Sequence, residues 1–213
     1  MERPVIVLAT GNEGKIREIR KIFGDLPLRW VTMREVAATV GAKPPDVVED
    51  GETFLDNALL KARAIYRWSG LPALADDSGL QVDALQGAPG VYSARFAGEG
   101  ATDSLNTSLL LDKLSTTPTS LRTARFRAVI ALVFSGDQYV VADGACEGHI
   151  ASDPAGAGGF GYDPVFIPAS KDQTFAELGA EYKNRVSHRG RALEQLRPLL
   201  TNLLDSGRIG PAT

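Results

Sequence analysis

Short apolar runs alternate along this chain with segments whose apolar residues recur at helical spacing. The first run, Val5–Leu8, has the length of a buried strand and is followed by polar residues and glycine. In residues 15–23, isoleucine recurs every third residue and Gly24 follows as a stop signal, so the spacing predicts a helix. The N-terminal segment is therefore predicted to form a strand, a loop and a helix.

A capping box marks the start of the second predicted helix. Thr53 precedes Asp56 by three residues, directly before an apolar helical pattern that ends at Gly70 and Pro72. The rest of the chain predicts strands at 73–76 and 80–85 on either side of an acidic turn, a helix at 102–114, a hairpin of strands at 123–134 and 139–142, and a final helix at 187–204.

Helices interleaved with single strands and a hairpin indicate an α/β fold with a mixed β-sheet. A length of 213 residues suits one large domain, and no internal repeat or low-complexity linker divides the chain. We expect a single domain over residues 1–204 and a flexible tail over residues 205–213, where glycine and proline follow the final helix.

Composition and charge exclude several classes of protein. No apolar run approaches the ~20 residues of a membrane span, and the first residues lack the pattern of a signal peptide. The net charge of −3 and the scattered Lys and Arg argue against nucleic acid as a partner. With Cys146 as the sole cysteine, the chain can form no internal disulfide and no four-cysteine zinc site. We expect a cytoplasmic protein that binds neither membrane nor nucleic acid.

The loop Thr10-Gly11-Asn12-Glu13-Gly14-Lys15 joins the first strand to the first helix. Free backbone N–H groups and the helix dipole make such a position favourable for an anion, and Lys15 adds a positive charge. The loop is not a Walker A motif, because two residues separate its glycines and Ile16 follows the lysine. The alternative is a plain turn that carries a surface lysine.

Two adjacent carboxylates, Asp76 and Asp77, follow a predicted strand and precede Ser78 and Gly79. Open α/β sheets bind ligands at such strand ends, and a hard cation such as Mg²⁺ takes a few carboxylates together with phosphate oxygens. The alternative is a solvated Asx turn.

Two further charged residues have ordinary explanations as well. Glu49 lies in the long loop before the second helix, where a solvated acidic loop is the local alternative. Lys61 lies in the middle of that helix, where most lysines extend to water.

Residues 156–164 contain four glycines together with Phe160, Tyr162 and Asp163. A flexible linker is the alternative, but linkers rarely carry two aromatic residues and an acid in so short a segment. An aromatic ring beside a carboxylate suits stacking on a nucleobase and hydrogen bonding to its edge.

Lys183 lies just before the last predicted helix, and Ser187-His188-Arg189 begin it. Ser, His and Arg at a helix start can bind a base or a phosphate, and Ser187 can also serve as an ordinary N-cap. Two histidines without cysteine partners are a poor basis for a zinc site.

Six motifs in this order resemble those of the inosine/xanthosine triphosphate pyrophosphatase family, whose members hydrolyse non-standard purine nucleoside triphosphates to the monophosphate and pyrophosphate. Each motif alone is weak evidence, whereas six in the family's order are specific. The resemblance covers nearly the whole chain and is nearest to the bacterial branch. The motifs are Thr10-Gly11-Asn12-x-x-Lys15, Thr53-Phe54-x-x-Asn57-Ala58-x-x-Lys61-Ala62, Ala75-Asp76-Asp77-Ser78-Gly79-Leu80, Gly87-Ala88-Pro89-Gly90-Val91-Tyr92-Ser93-Ala94-Arg95, Gly159-Phe160-Gly161-Tyr162-Asp163-Pro164 and Ser187-His188-Arg189-Gly190.

The resemblance implies a role for each candidate residue. Asp77 is expected to accept the proton of the attacking water and to bind Mg²⁺, with Glu49 and Asp76 as further metal ligands. Lys61 and Arg95 are expected to assist on the phosphate side, and Ser78 to touch the substrate. The phosphates are expected at Thr10, Gly11, Asn12, Glu13, Gly14 and Lys15, and the nucleotide pocket at Phe160, Gly161, Tyr162, Asp163, Lys183, His188 and Arg189.

The resemblance also implies an elongated mixed sheet flanked by helices, of the Maf-like type, with two lobes around a central cleft. Family members are homodimers that act on purine nucleoside triphosphates. Hypoxanthine and xanthine present a 6-keto acceptor where adenine presents an amino donor, so a pocket of donors selects them. We expect Phe160 to stack on the base, and His188 and Arg189 to lie near its keto edge.

Two other functions stay open. A module that senses nucleotides without hydrolysing them would bind ITP and release no pyrophosphate. A related pyrophosphatase acting on modified pyrimidine or methylated nucleotides would share the general architecture. The Phe160-Gly161-Tyr162-Asp163 and Ser187-His188-Arg189 segments favour the purine nucleotides.

Overall fold

The computed structural model describes residues 3–136 and 138–210. Three short 3₁₀ helices lie at Asp83–Leu85, Gly90–Arg95 and Thr119–Leu121. The main elements, in chain order, are β1 (Val5–Leu8), α1 (Glu13–Ile22), β2 (Arg29–Thr32), α2 (Met33–Val40), α3 (Phe54–Ser69), β3 (Ala73–Val82), α4 (Asp103–Lys113), β4 (Thr123–Ser135), β5 (Gln138–Ile150), β6 (Phe166–Pro168), α5 (Phe175–Val186) and α6 (His188–Asp205).

The strands form one six-stranded sheet in the order β2-β1-β3-β4-β5-β6. Strand β1 is parallel to both β2 and β3, whereas β6 is antiparallel to β5. The predicted α/β fold with a mixed sheet is therefore confirmed. Strand β1, helix α3 with its capping box at Thr53, helix α4 and helix α6 lie where the sequence pattern places them, within one or two residues.

The prediction of an acidic turn between two strands is wrong. Strand β3 continues through Asp76, Asp77, Ser78 and Gly79, and the two aspartates are only 2% and 7% exposed. A turn would expose these charges to water, but lysines from other elements neutralise them inside the structure.

Other elements also differ from the prediction. The second strand of the predicted hairpin is longer than expected, and the sequence pattern did not predict β2, α2, β6 and α5.

The chain divides into two compact units, and β3, β4 and β5 contribute residues to both. The first unit comprises Met1–Asp77, Val129–Asp143 and Ala192–Thr213. In its core, Ala58, Ala62 and Ile65 of α3 pack with residues of β1 and β3.

The second unit comprises Ser78–Ala128 and Gly144–Arg191. Its core contains Phe126, Phe166 and Phe175 in mutual ring contact. No helix in the described part of the chain could cross a membrane.

The expected single domain over residues 1–204 with two lobes stays a prediction, and so does the flexible tail. Within that tail, Ile209 is buried and its N–H donates to the Leu203 carbonyl. Residues 211–213 lie outside the described residues.

Candidate active site

The loop between β1 and α1 is ordered by its own polar side chains. Asn12 caps the helix, since its Oδ1 accepts the Lys15 N–H at 3.1 Å, and the Asn12 N–H donates to Thr10 Oγ1 at 3.1 Å. Helix α1 begins at Glu13, two residues earlier than the spacing predicted, so Glu13 and Gly14 belong to its first turn. The loop therefore presents the N-terminus of a helix, where backbone N–H groups favour an anion.

Lys15 connects this loop to the acidic strand. Its Nζ lies 2.8 Å from Oδ1 of Asp76, whose side chain is fully buried. An isolated buried carboxylate is very unfavourable, and a close ammonium group offsets that cost. The structure thus brings the predicted phosphate loop and the predicted acidic pair together in the first unit.

Asp77, the next residue of the strand, has partners from helix α3. Lys61 Nζ lies 3.1 Å from Asp77 Oδ1 and 2.6 Å from Glu49 Oε2, so one lysine holds both carboxylates. The amide of Asn57 donates to the other oxygen, Asp77 Oδ2, at 3.2 Å. Adjacent strand residues point to opposite faces, which explains why the two aspartates have different lysine partners.

Burial and neighbouring charge shift two of these groups. Burial raises the pKa of Asp77 above the usual value of an aspartate and outweighs the opposing effect of Lys61. Burial acts to lower the pKa of Lys61, but the charges of Asp77, Asp76 and Glu49 outweigh it, so this pKa is raised. Lys61 therefore stays protonated at neutral pH, while Asp77 becomes a stronger base than an exposed aspartate.

We call Lys15, Glu49, Lys61, Asp76 and Asp77 the charged cluster. Three carboxylates face two ammonium groups within one unit. Within residues 3–136 and 138–210, no three His, Cys, Asp or Glu side chains are already gathered as a metal site. Carboxylate oxygens alone are nevertheless the donor set of a hard divalent cation.

A second group of candidate residues surrounds the glycine-rich loop of the second unit. Asp163 Oδ2 accepts the Phe160 N–H at 2.9 Å and pairs with Lys183 Nζ at 2.6 Å. Lys183 Nζ also lies 3.9 Å from the centroid of the Phe160 ring, within range of a cation–π contact. Asp163 and Lys183 are both buried.

Arg189 and His188 follow at the start of α6. Arg189 is 1% exposed, donates to Ser78 Oγ at 3.0 Å and lies 5.7 Å from the Phe160 ring centroid. The His188 ring is also buried and stacks on Phe126, at 4.8 Å between centroids. Ser187 is indeed a helix cap, since its Oγ accepts the Gly190 N–H at 3.1 Å. Ser78, Phe160, Asp163, Lys183 and Arg189 form what we call the glycine-loop cluster.

Three other candidates have structural partners of their own. Tyr162 is buried, and its hydroxyl donates to the Ser93 carbonyl at 2.9 Å; burial raises its pKa. The Gly161 N–H donates to Asp103 Oδ2 at 2.6 Å, which attaches the loop to helix α4. Arg95, on a short 3₁₀ helix of the second unit, lies over the exposed Tyr92 ring at 5.3 Å.

Asn57 and Asp103 were not predicted from the sequence to have a role, although each contacts a candidate residue or segment. The spacing of Asn57 and Lys61 offered one usable signal, because residues four apart lie on the same face of a helix. No comparable signal marks Asp103, whose partner is 58 residues away in the sequence.

Comparison with known proteins identifies the family of this chain. Residues 6–199 match the model of the Ham1 family. A Geobacter sulfurreducens protein named dITP/XTP pyrophosphatase is 50% identical over 192 residues, which is 90% of this chain and 94% of that protein. A Desulforamulus reducens protein of the same name is 48% identical over 93% of this chain and 96% of its own length.

Solved structures give the same result for the fold. The HAM1 protein from Coxiella burnetii has a TM-score of 0.84 and 43% identity, covering 93% of this chain and 99% of that one. A nucleoside-triphosphatase / dITP/XTP pyrophosphatase from Mycobacterium abscessus has a TM-score of 0.74 and 44% identity, covering 91% and 99%. The resemblance indicated by the six motifs is confirmed.

Proposed function

The chain belongs to the Ham1 family, and from this membership we propose that it hydrolyses non-canonical purine nucleoside triphosphates, ITP or dITP and XTP, to the monophosphate and pyrophosphate. The observation that carries the proposal is the charged cluster. Carboxylates and ammonium groups in direct contact, beside the N-terminus of a helix, suit a phosphate chain and a hydrolytic water.

On the phosphate side, the loop Thr10-Gly11-Asn12-Glu13-Gly14-Lys15 binds the triphosphate through the N–H groups that begin α1. Lys15 and Lys61 add two positive charges from the same unit. Arg95 is a further candidate for this role. Cationic groups fixed in place before the reaction stabilise the charge that develops on the leaving pyrophosphate.

The metal ligands in this proposal are Asp77, Glu49 and Asp76, and the metal is Mg²⁺. The donor set fits this ion, since it consists of carboxylate oxygens without sulfur or imidazole. A bound divalent cation would neutralise charge on the phosphates and polarise their oxygens.

Asp77 acts as the general base. Its raised pKa increases its affinity for a proton. The carboxylate takes a proton from water as the water oxygen forms a bond to the α-phosphorus. The bond from that phosphorus to the bridging oxygen breaks, and pyrophosphate leaves.

The glycine-loop cluster binds the base. Phe160 offers a ring for stacking, and Lys183 and Arg189 bring two cationic donors to that ring. Ser78 binds substrate beside Asp77, its neighbour in the chain. The remaining pocket residues in this proposal are Gly161, Tyr162, Asp163 and His188.

These donors select a 6-keto purine. ITP and XTP present an acceptor at the 6-position of the base. ATP presents an amino donor there, so the donors of the pocket are left unpaired. Such polar mismatch can discriminate by about 10⁴- to 10⁵-fold.

A substrate panel tests the proposal. The purified protein with Mg²⁺ is given ITP, dITP, XTP and ATP, and pyrophosphate and orthophosphate are measured separately. We expect pyrophosphate from the first three and far less from ATP. Binding without hydrolysis would indicate a nucleotide sensor instead, and preference for modified pyrimidine nucleotides would indicate the related pyrophosphatases.

Replacing the proposed base tests the mechanism. We expect Asp77→Asn to lower kcat by at least about 10²-fold, because the amide cannot take the proton, while nucleotide binding stays measurable. Asp83→Asn is the matched control, since Asp83 is a surface carboxylate that pairs with Arg125. Near-normal turnover by Asp77→Asn would remove Asp77 from the mechanism.

A further inference from the structure

Asn57 is a buried polar residue whose side-chain amide forms hydrogen bonds through both its oxygen and its nitrogen. It is 1% exposed; its Oδ1 accepts the Gly51 N–H at 2.8 Å, and its Nδ2 donates to Asp77 Oδ2 at 3.2 Å. This orientation of the amide satisfies both partners, because a backbone N–H requires an acceptor and a carboxylate requires a donor.

Asn57 and Lys61 lie one turn apart on α3 and share the two oxygens of Asp77. Each of them also holds the loop that precedes the helix, Asn57 through Gly51 and Lys61 through Glu49. The orientation of Asp77 is therefore tied to one helix face and one loop at the same time.

The contact at Gly51 requires a glycine. A Cβ atom there would lie 2.6 Å from the Asp56 Cβ and 2.7 Å from the Asn57 Oδ1, closer than such atoms can approach. The loop backbone can therefore reach the amide because no side chain intervenes.

We propose that Asn57 is a positioning residue that fixes the direction of the Asp77 carboxylate. A second ammonium group on Oδ2 would lower the basicity of Asp77, whereas a neutral amide orients the oxygen with much less effect on its charge. This inference rests on the proposed function, in which Asp77 takes the proton of the attacking water.

Two variants separate positioning from folding. Asn57→Ala removes both hydrogen bonds. Asn57→Asp has nearly the same shape and keeps an acceptor for Gly51, but it replaces the donor to Asp77 by a second carboxylate. Ile65→Val is the control, because Ile65 is a buried core residue of the same helix that is not part of the charged cluster.

Steady-state hydrolysis of ITP and thermal unfolding are measured for each protein. We expect both Asn57 variants to lower kcat by about 10²-fold, as misplacement of a reacting group does. We expect KM to change much less than kcat, because substrate binding keeps its own contacts. Ile65→Val should lower the Tm with little change in kcat.

A double-mutant cycle gives the second readout. If Asn57 acts through Asp77, adding Asn57→Ala to Asp77→Asn lowers the residual kcat no further, because the orientation of an inactive group no longer matters. A multiplicative loss in the double variant overturns the proposal. The proposal is also wrong if both Asn57 variants keep a kcat as high as that of Ile65→Val. It is likewise wrong if both Asn57 variants lose the folded state.

The two proposals fail in distinguishable ways. If the unmodified protein releases no pyrophosphate from ITP or XTP, the proposed function fails and the role of Asn57 falls with it. If the unmodified protein is active and the Asn57 variants keep its kcat, the positioning role alone is wrong.

Discussion

At the scale of single residues, the lack of a Cβ atom at Gly159 allows the glycine-loop cluster to form. Its φ of +80° lies in the left-handed region, and a Cβ atom there would collide with Oδ2 of Asp163. That same oxygen accepts the Phe160 N–H and pairs with Lys183. A side chain at position 159 would therefore displace the atom that organises the cluster.

The pair Gly159 and Gly161 allows this effect to be measured. Gly161 also has a positive φ, of +61°, but a Cβ there meets nothing within 4 Å. We expect Gly161→Ala to lower the free energy of unfolding by about 1 kcal/mol from backbone strain alone. Gly159→Ala should cost at least about 2 kcal/mol because the collision adds to the strain.

Urea denaturation measures both losses, and ITP kinetics measure the consequence for the site. Under the proposed function, Gly159→Ala also raises the KM for ITP, because Phe160 and Lys183 lose their common anchor. Equal losses in the two variants would show that Asp163 moves freely and does not organise the loop.

At the scale of elements, helix α3 carries both side chains that contact the oxygens of the Asp77 carboxylate from a helix, Asn57 and Lys61. Its first turn is closed by the capping box of Thr53 and Asp56, and its C-terminus ends in the left-handed Gly70. Asn57 and Lys61 face Asp77. The adjacent face packs alanines and Ile65 into the core of the first unit, which fixes the helix in place.

The capping box is expected to contribute to stability in the usual range. Thr53→Ala removes the oxygen that accepts the Asp56 N–H, and we expect the free energy of unfolding in urea to fall by about 1 kcal/mol. Thr39→Ala is the control, since exposed Thr39 lies inside α2 and its hydroxyl makes only a long bond to the Glu35 carbonyl. An equal effect of the two substitutions would contradict the role of the cap.

At the scale of the whole molecule, the proposed homodimer is testable from mass. Sedimentation velocity of the purified protein is expected to give twice the 22.7 kDa of one chain across a dilution series. A species of one chain mass at every concentration would exclude the dimer.

A net charge of −3 predicts that the same preparation does not bind duplex DNA at physiological salt. A mobility shift of the DNA would contradict this prediction.

Much of the architecture could be read from local signals in the sequence. The apolar run Val5–Leu8, the capping box at Thr53 and the periodicity of α6 depend on neighbours a few residues apart, so a single chain displays them. Strand β2 is as short as β1 but has only two apolar residues, Trp30 and Val31, between Arg29 and Thr32. Strand β6 has three residues and α5 is interrupted by non-helical Gly179, so these elements lacked a continuous pattern.

The sequence by itself determined the fold class, the family and the set of candidate residues, because motif order and local periodicity are properties of the chain. Only the tertiary structure decided that Asp76 and Asp77 continue a buried strand instead of forming a turn. Their partners Lys15 and Lys61 come from distant helices, and local polarity says nothing of counter-ions that folding will supply. The same holds for Asn57, whose two partners meet only when loop, helix and strand are assembled.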